Sequence, residues 1–345
     1  MNTVRRTLCL TALIPLALAS SASPPRQNVL TPTKYRISNL GTLGGKRSAG
    51  LAINNSGQVA GYSYLRGDRV RHAMLWDMKG MRDLGTLGGT DSCSACINDK
   101  GQVTGSATLE GDKMAHAFFY DGIKMRDLGT LGGKVSVGYS INNSGMIVGN
   151  SELRQKNTHR AFLYNSSGMH DLGTLGGRNS YAQAINDAGQ IVGYSDTKGN
   201  VAVHAFLYEN GKMRDISAKG VTLSVPCSIN TSGQIILISA FHDDKNGYAA
   251  LLDRTGMHKL GTLGGKVTVV LGMSSHGQIV GFSDTANNGQ HACLYSNSKL
   301  IDLDALVDGG AFVGLIEARG INDKGWITGI GSYYGDKRAF LLRPE

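Results

Sequence analysis

Histidine recurs in this sequence at positions that could indicate a set of metal ligands. The residues concerned are His72, His116, His204 and His291. Each lies in a different copy of a sequence repeat, so the imidazoles should lie well apart, whereas the ligands of one zinc ion converge to about 2 Å from it. Arg160, Tyr248 and Arg338 take the same place in other copies, which suits a polar anchor better than a ligand. We therefore interpret this position as a hydrogen bond that fixes the strands of each copy, and we expect no metal site.

A second recurrent group is the aspartate that precedes Leu-Gly or its equivalent. These aspartates are Asp83, Asp127, Asp171, Asp215 and Asp302. A carboxylate here can accept hydrogen bonds from the backbone N–H groups of the glycine-rich segment that follows. The Asn-Asp-x-Gly turns elsewhere in the repeat lack the dense oxygen ligands of a calcium loop. Both patterns predict structural roles, and the sequence implies no cofactor.

Residues that differ between copies are better candidates for binding. They are Arg66, Arg69 and Arg71 in copy one, His242, Asp243 and Asp244 in copy five, and Asp304, Asp308, Tyr333 and Tyr334 near the end of the chain. Loops on a rigid scaffold often carry binding residues, although these could also be plain solvated loops. The carboxylates, with His242, could instead serve a polysaccharide hydrolase or lyase, which needs two carboxyl groups about 5 to 9 Å apart. No serine nucleophile elbow, phosphate loop or zinc-peptidase motif is present.

The elements that must position these residues follow from an internal repeat of 44 residues. Gly-Thr-Leu-Gly-Gly begins at Gly41, Gly85, Gly129, Gly173 and Gly261, and Ser217 falls on the same ladder. Ile-Asn begins at Ile53, Ile97, Ile141, Ile185, Ile229 and, after a slip of four residues, Ile321, with Met273-Ser274 in the sixth copy. Seven copies account for about 34–342. A fixed period of this length indicates a repeat architecture.

Each copy divides into four short β-type runs separated by turn residues. In the fourth copy the predicted strands cover 181–185, 190–195, 204–208 and 213–216. The sequence Asn-Asp-Ala-Gly at 186–189 predicts a type I turn closed by a left-handed glycine, and Asn-Gly at 210–211 predicts a second tight turn. Leu-Gly-Gly at 175–177 is expected to form a third connection.

The predicted strands are apolar on both faces. Neighbours such as Phe206 and Leu207 must point in opposite directions along a strand. A small sheet of this kind has to be covered on both sides, and radial stacking of four-stranded sheets achieves this while protecting their edges. The sequence therefore predicts an all-β protein, a seven-bladed β-propeller with one four-stranded blade per copy. A linear solenoid is the alternative, but the terminal copies show no sign of the polar caps that it requires.

The first strand of the chain is predicted to complete the last blade. Residues 35–40 correspond to the fourth strand of a copy, and 338–342 correspond to the third. Pairing of these two ends would offset the entropy of closing a ring with strand hydrogen bonds. In such sheets the loop after the second strand and the Leu-Gly-Gly connection emerge on one rim, where the variable residues would lie.

The start of the chain has the pattern of an export signal. Arg5 and Arg6 precede an apolar run at 8–18 and then small residues. The run is about half of the roughly 20 residues that a membrane-spanning helix needs, so no transmembrane segment is expected. The predicted organisation is a signal peptide at 1–22, a linker at 23–33 and the propeller at 34–345.

Charge and cysteine content limit the kind of partner. The net charge of +9 is dispersed rather than gathered in Lys and Arg blocks, which argues against nucleic acid as a partner. Four cysteines follow the predicted signal: Cys93, Cys96, Cys227 and Cys293. An oxidising compartment permits disulfides, but a large repetitive core does not need them. Core-filling thiols are favoured over a bridge or a metal site.

The motifs Gly-Thr-Leu-Gly-Gly, Ile-Asn-x-x-Gly-Gln-Ile-Val-Gly and His-Ala-Phe-Leu-Tyr together resemble those of the bacterial HAF-repeat proteins. The resemblance covers all seven copies and implies an extracellular or cell-envelope repeat protein, without an established activity. The sequence thus predicts a monomeric periplasmic or secreted binding module, rather than an enzyme, that recognises a glycan, a peptide or an envelope protein through one rim. A polysaccharide hydrolase or lyase and a purely structural envelope component are the alternatives.

Overall fold

The computed structural model describes Pro32 and residues 34–155, 157–241, 247–308 and 310–345. Within these residues the chain is all-β, with 28 strands and two short 3₁₀ turns at Lys198–Asn200 and Asp304–Leu306. The predicted signal peptide at 1–22, and all of the predicted linker at 23–33 except Pro32, lie outside the described residues. Of the helical segments described, none has the length and apolar character to span a membrane.

The described strands pair antiparallel in groups of four, one for each sequence copy. A single parallel pairing joins groups two and three, Ala115 with Val135, and another joins groups four and five, Val203 with Leu223, so that each of these two pairs of groups forms one eight-stranded sheet. Group one comprises β2 (Gly44–Ile53), β3 (Val59–Leu65), β4 (Arg71–Asp77) and β5 (Gly80–Asp83). Group two comprises β6 (Gly88–Ile97), β7 (Val103–Leu109), β8 (Ala115–Tyr120) and β9 (Met125–Asp127). Group three comprises β10 (Gly132–Ile141), β11 (Ile147–Leu153), β12 (His159–Asn165) and β13 (Gly168–Asp171). Group four comprises β14 (Gly176–Ile185), β15 (Ile191–Thr197), β16 (Val203–Glu209) and β17 (Lys212–Asp215).

The last three groups continue the same order and bring the first and last described strands together. Group five comprises β18 (Val221–Ile229), β19 (Ile235–Phe241), β20 (Tyr248–Asp253) and β21 (Gly256–Lys259). Group six comprises β22 (Gly264–Met273), β23 (Ile279–Thr285), β24 (Gln290–Ser296) and β25 (Lys299–Asp302). Group seven comprises β26 (Phe312–Ile321), β27 (Ile327–Tyr333), β28 (Asp336–Pro344) and β1 (Tyr35–Asn39). The first strand therefore pairs with the last, as the sequence predicts.

The turn between the first two strands of each group has the predicted geometry. In group one the Gly57 N–H donates to the Asn54 carbonyl at 3.0 Å, and the Asn54 N–H donates to the Gln58 carbonyl at 3.1 Å. Gly57 has a φ of +82°, in the left-handed region that glycine adopts without strain. The side chain of Asn54 also accepts the Gln58 N–H at 2.9 Å. The asparagine side chain thus stabilises the turn by accepting a backbone hydrogen bond inside it.

The Leu-Gly-Gly segment differs from its prediction as a connection, because its glycines begin the first strand. In group four β14 begins at Gly176, which pairs with Thr197 before the register shifts ahead of Ser180. Gly176 has a φ of +98°, so the strand carries a bulge that no residue with a side chain would adopt easily. The predicted strand at 181–185 was five residues too short at its N-terminal end.

Apolar side chains fill the space between neighbouring groups. One buried cluster joins Val148 and Ala161 of group three to Ala182, Ile191 and Phe206 of group four. Another joins Val59 and Met74 of group one to Ala339 and Leu341 of group seven. Each sheet is therefore covered on both faces, and groups one and seven are neighbours in space.

Candidate functional site

The variable rim is the edge of the molecule formed by two kinds of segment in each group. These are the loop between the second and third strands and the segment that leads into the first strand. The Lys46 N–H donates to Asp68 Oδ1 at 2.7 Å, and the Arg178 N–H donates to Asn200 Oδ1 at 2.7 Å. Asp68 has a φ of +55° and Asn200 has a φ of +57°. This loop position is therefore a repeated structural one, and Asp68 is not free for a partner.

The three arginines predicted for binding in copy one have different surroundings. Arg71 is tied to group two, because its Nε lies 3.0 Å from Asp91 Oδ2, and its guanidinium lies 5.1 Å from the centre of the Tyr62 ring. Arg66 and Arg69 are exposed, and their side chains form no hydrogen bond or ion pair with any other described residue. Arg66 and Arg69 thus remain available to a partner, while Arg71 joins two groups.

The carboxylates considered for catalysis have separate surroundings. Asp304 Oδ1 accepts the Leu315 N–H at 2.7 Å, and its Oδ2 lies 3.5 Å from His291 Nδ1. Burial and the nearby Asp302 carboxylate raise the pKa of Asp304. Asp308 instead pairs with Lys34, whose Nζ lies 2.6 Å away. His242, Asp243 and Asp244 lie outside the described residues.

Two of the predicted rim residues line a cavity of about 380 Å³ where β1 meets group seven. We name it the seam cavity. Its polar and aromatic lining consists of Tyr35, Arg36, Asn39, Asp308, Phe312, Tyr333 and Glu345. The rings of Phe312 and Tyr333 meet edge to face with their centres 5.1 Å apart. The fold therefore brings Asp308 and Tyr333 together with charged groups from both ends of the chain.

Tyr334 stands beside the seam cavity in an unusual turn. With Gly335 it forms the two-residue connection between β27 and β28, in which Tyr333 pairs with Asp336. Its φ is +47° and that of Gly335 is +87°, the signs of a type I′ turn, in which Asn-Gly is the favoured pair. The Tyr334 side chain is 78% exposed, and its ring centre lies 4.8 Å from that of Tyr333. A bulky residue with this φ is strained, and such strain often marks a functional site.

The recurrent histidines and aspartates form pairs that join the third and fourth strands. The imidazole Nδ1 lies 2.8 Å from the carboxylate in His72–Asp83, 2.9 Å in His116–Asp127, 2.6 Å in His204–Asp215 and 2.7 Å in His291–Asp302. In copy three Arg160 replaces the histidine, and its Nε lies 3.7 Å from Asp171. Each imidazole thus pairs with a carboxylate of its own group, and His291 faces the Asp304 carboxylate as well.

We name as the axial ring the first residue of the turn between the first and second strands of every group. These turns lie on the rim opposite the variable rim, and their role was not predicted from the sequence. The ring consists of Asn54, Asn98, Asn142, Asn186, Asn230, Ser274 and Asn322. The Asn54 side-chain amide donates to the Asn98 carbonyl at 3.0 Å, and the Asn322 amide donates to the Asn54 carbonyl at 3.0 Å. The seven turns surround a cavity of about 200 Å³. The sequence signal for this ring was the recurrence of Asn at a turn position where Asp or Ser would also be accepted.

The next turn residue of several copies completes this network. The Asn55 N–H donates to Asp99 Oδ1 at 2.9 Å, and the Asn143 side-chain amide donates to Asp187 Oδ2 at 2.9 Å. The Asp323 N–H donates in turn to Asn55 Oδ1 at 2.9 Å. These polar groups form hydrogen bonds with one another across the cavity's edge. The cavity therefore lies where the turns of the copies are joined, and these polar side chains already have partners.

The cysteines of the described chain are free thiols. Burial raises the pKa of Cys93 to about 11 and those of Cys227 and Cys293 to about 12. A nucleophilic or metal-binding cysteine needs its thiolate, which these surroundings disfavour. Cys96 and Cys227 contact two different apolar clusters.

Comparison with known proteins identifies the fold. A sequence family described as "Protein of unknown function (DUF3466)" matches residues 47–175. No curated protein matches the chain. The β-propeller domain of the Trilobed protease from Pyrococcus furiosus, described as having an open velcro topology, is 12% identical with a TM-score of 0.58, over 87% of this chain and 97% of that one.

Two further solved structures are similar over most of this chain. A prolyl endopeptidase is 11% identical with a TM-score of 0.57, over 91% of this chain and 47% of that one. TolB from Acinetobacter baumannii is 13% identical with a TM-score of 0.49, over 83% of this chain and 65% of that one. The chain therefore spans about half of the endopeptidase and under two thirds of TolB. At such identities the likeness is one of fold alone, and that fold is the β-propeller.

Proposed function

We propose that this chain is an exported, seven-bladed β-propeller that binds a glycan through the seam cavity and Tyr334. The chain would belong with the HAF-repeat proteins, would act as a monomer and would have no catalytic role. The observation that carries the proposal is the seam cavity, in which the repeat symmetry is broken and aromatic and charged side chains meet.

The proposed ring of seven blades is supported by contacts between the first and last copies. β1 pairs with β28 over five residues, from Tyr35 opposite Pro344 to Asn39 opposite Phe340. Asn322 of copy seven donates to Asn54 of copy one with the same 3.0 Å bond that joins Asn54 to Asn98. Equal bonds at the seam and between adjacent copies favour a closed arrangement over an open stack.

A glycan suits the chemistry of the seam cavity better than an apolar ligand does. Sugar rings present hydroxyl groups at their edges and C–H groups on their faces. Arg36, Asp308 and Glu345 offer donors and acceptors for hydroxyl groups, while Tyr333 and Tyr334 offer aromatic surface with a polar end. A cavity of about 380 Å³ is within the usual range for small-ligand sites. A peptide or an envelope protein is the other class of partner that the rim could accept.

The hydrolase or lyase alternative is less favoured by the described residues. Asp308 lines the seam cavity, whereas Asp304 is hydrogen-bonded to Leu315 beside His291. A glycosidase needs both carboxyl groups on one glycosidic bond. The proposed role is therefore recognition, with a structural role in the envelope as the remaining alternative.

The experiment is a glycan array with the purified chain, followed by calorimetric titration of the best oligosaccharide. Tyr334→Ala and Asp308→Asn should each weaken binding by about ten-fold or more, because hot-spot contacts contribute at least about 1.4 kcal/mol. Ile123→Ala is the matched control, since Ile123 is 88% exposed in the turn between β8 and β9, on the opposite rim. Loss of binding in the control, or binding that survives both rim substitutions, would contradict the site. Release of reducing ends from a bound polysaccharide would instead favour the enzyme.

Export is tested separately. The N-terminal residue of the protein recovered from the periplasm or the medium should follow a cleavage near residue 22. A product that keeps residues 1–22 would contradict the proposed leader.

A further inference from the structure

Copy six contains a second carboxylate beside its His–Asp pair. His291 lies in β24, Asp302 ends β25, and Asp304 begins the 3₁₀ turn that follows. His291 Nδ1 lies 2.7 Å from Asp302 Oδ2 and 3.5 Å from Asp304 Oδ2. One ligand atom from each of the three residues lies within 4.8 Å of the other two, and no other such group of His, Cys, Asp or Glu occurs in the part of the chain that the structure describes.

The sequence of the other copies shows what copy six has gained. Glycine or serine takes the place of Asp304 elsewhere, as at Gly85, Gly129, Gly173, Ser217 and Gly261. The local turn is nevertheless the same. The Gly85 N–H donates to Asp83 Oδ1 at 2.8 Å, and the Asp304 N–H donates to Asp302 Oδ1 at 3.0 Å. A shared backbone turn thus carries an added carboxylate in this copy alone.

The charges of this cluster are not balanced within the described chain. Two carboxylates face one imidazole, and no lysine or arginine of the described residues forms an ion pair with Asp302 or Asp304. In copies one, two and four a single carboxylate faces each imidazole. Two carboxylates at this separation repel each other, and a bound cation would remove that repulsion.

The two donor-atom separations from His291 match a metal site. Ligands about 2.1 Å from one ion lie about 3 Å apart when they occupy neighbouring coordination positions. The separations from His291 Nδ1 to the two carboxylate oxygens, 2.7 and 3.5 Å, bracket that value. One imidazole nitrogen with two carboxylate oxygens is a donor set that suits Zn²⁺ and related first-row ions, whereas calcium prefers oxygen ligands alone.

The cluster also has space for further ligands. His291 and Asp302 line a cavity of about 460 Å³, together with Leu263, Thr285, Asn287 and Gly289. A site with three protein ligands and open coordination positions leaves room for water or for an oxygen of a bound molecule.

We propose that His291, Asp302 and Asp304 bind one divalent transition-metal ion, with water from the adjoining cavity completing its coordination. The site differs from the sequence expectation of no metal, which rested on histidines in separate copies. Here the ligands come from one copy, and only Asp304 departs from the repeat.

The test uses the purified chain without a histidine tag, treated with chelator and titrated with ZnCl₂ by calorimetry. Wild type should bind a single ion, and Asp304→Gly, which restores the residue of the other copies, should weaken binding by about ten-fold or more. Asp304→Asn should also weaken it, because the amide carries no charge. Circular dichroism checks that each variant is folded.

The matched control is His116→Gln, which removes the imidazole of a pair without the second carboxylate. Its Zn²⁺ affinity and stoichiometry should equal those of wild type. Equal affinity in wild type and in Asp304→Gly would overturn the proposal, as would an equal loss in His116→Gln. A Co²⁺-loaded chain provides a second readout, since its visible absorption should appear in wild type and be absent in Asp304→Gly.

Discussion

Phe206 lies directly opposite Gly193 in the pairing of β15 with β16, and its ring would lie 2.6 Å from any Cβ at that glycine. A side chain there would also meet the carbonyl of Tyr181. In copy five the equivalent pair is Leu237 opposite Ala250, and both are buried. The two copies therefore fill the same space from opposite strands, one with a large third-strand residue and the other with a large second-strand residue.

Gly193→Leu should destabilise the fold by at least about 3 kcal/mol, because an added side chain overpacks a filled core. Gly193→Leu combined with Phe206→Ala should recover about half of that loss, since it reproduces the pair of copy five. Urea unfolding of the single and double variants measures the coupling. Losses that simply add would show that the two positions do not share one space.

Substitutions in the axial ring should cost the same stability where copies seven and one meet as they do between two adjacent middle copies. Asn322→Ala removes the bond to Asn54 and the caps on the Lys324 and Trp326 N–H groups. Asn142→Ala removes the matching set between copies three and four. Each should lower the free energy of unfolding by about 2 kcal/mol. A clearly smaller loss in Asn322→Ala than in Asn142→Ala would argue that copies one and seven do not meet in solution.

Tyr334→Asn should raise stability by up to about 1 kcal/mol, because asparagine accepts a positive φ more readily than tyrosine does. The same change should weaken glycan binding, since the exposed ring is removed. Thermal unfolding measures the first effect, and titration measures the second. Asn210→Tyr makes the reverse change in the Asn210-Gly211 turn, where Asn210 has a φ of +51°, and should destabilise the chain by a similar amount.

The buried thiols predict a loss of stability at high pH. Cys227 and Cys293 titrate near 12 in the folded chain, against a usual value of 9.0, because burial disfavours the thiolate. The unfolded chain therefore loses these protons first, and the free energy of unfolding should fall as the pH rises from about 9 toward 12. Denaturant titrations at several pH values measure the slope. Cys227→Ala should make the slope shallower.

The same burial makes these thiols unreactive. At pH 8 a thiol-specific chromogenic reagent should label the native chain slowly and the unfolded chain fully. Rapid labelling of native Cys293, which is 2% exposed, would contradict its placement in the core.

The sequence was informative wherever one copy determines its own structure. The 44-residue period, the Asn-x-x-Gly turns and the pairing of β1 with β28 all follow from local patterns or from counting strands. Predictions were less successful where two copies or two strands meet. The Asn54–Asn98 bond depends on how close the turns of adjacent groups come, which no local pattern reveals. The first strand was predicted too short, because a pair of glycines resembles a connection when the pairing partner of Gly176, Thr197, lies 21 residues away.

In the candidate site, too, individual residues were predicted from the sequence, whereas the contacts between distant residues were not. Tyr333 and Asp308 were found as departures from the repeat, but their meeting with Arg36 and Glu345 depends on how the chain ends pack. Arg71 was predicted as a rim ligand, whereas the structure ties it to Asp91. Asp304 was noted as a rim carboxylate, while its position beside His291 required the path of the 3₁₀ turn.

The pairing of β1 with β28 affects the order in which the molecule can assemble. The earliest strand to leave the ribosome has its partner among the latest, about 300 residues downstream, since Asn39 pairs with Phe340. Until then β1 has an unsatisfied hydrogen-bonding edge, which invites pairing with other chains. The pair that joins the first and last copies can therefore form only after the last strand has been synthesised.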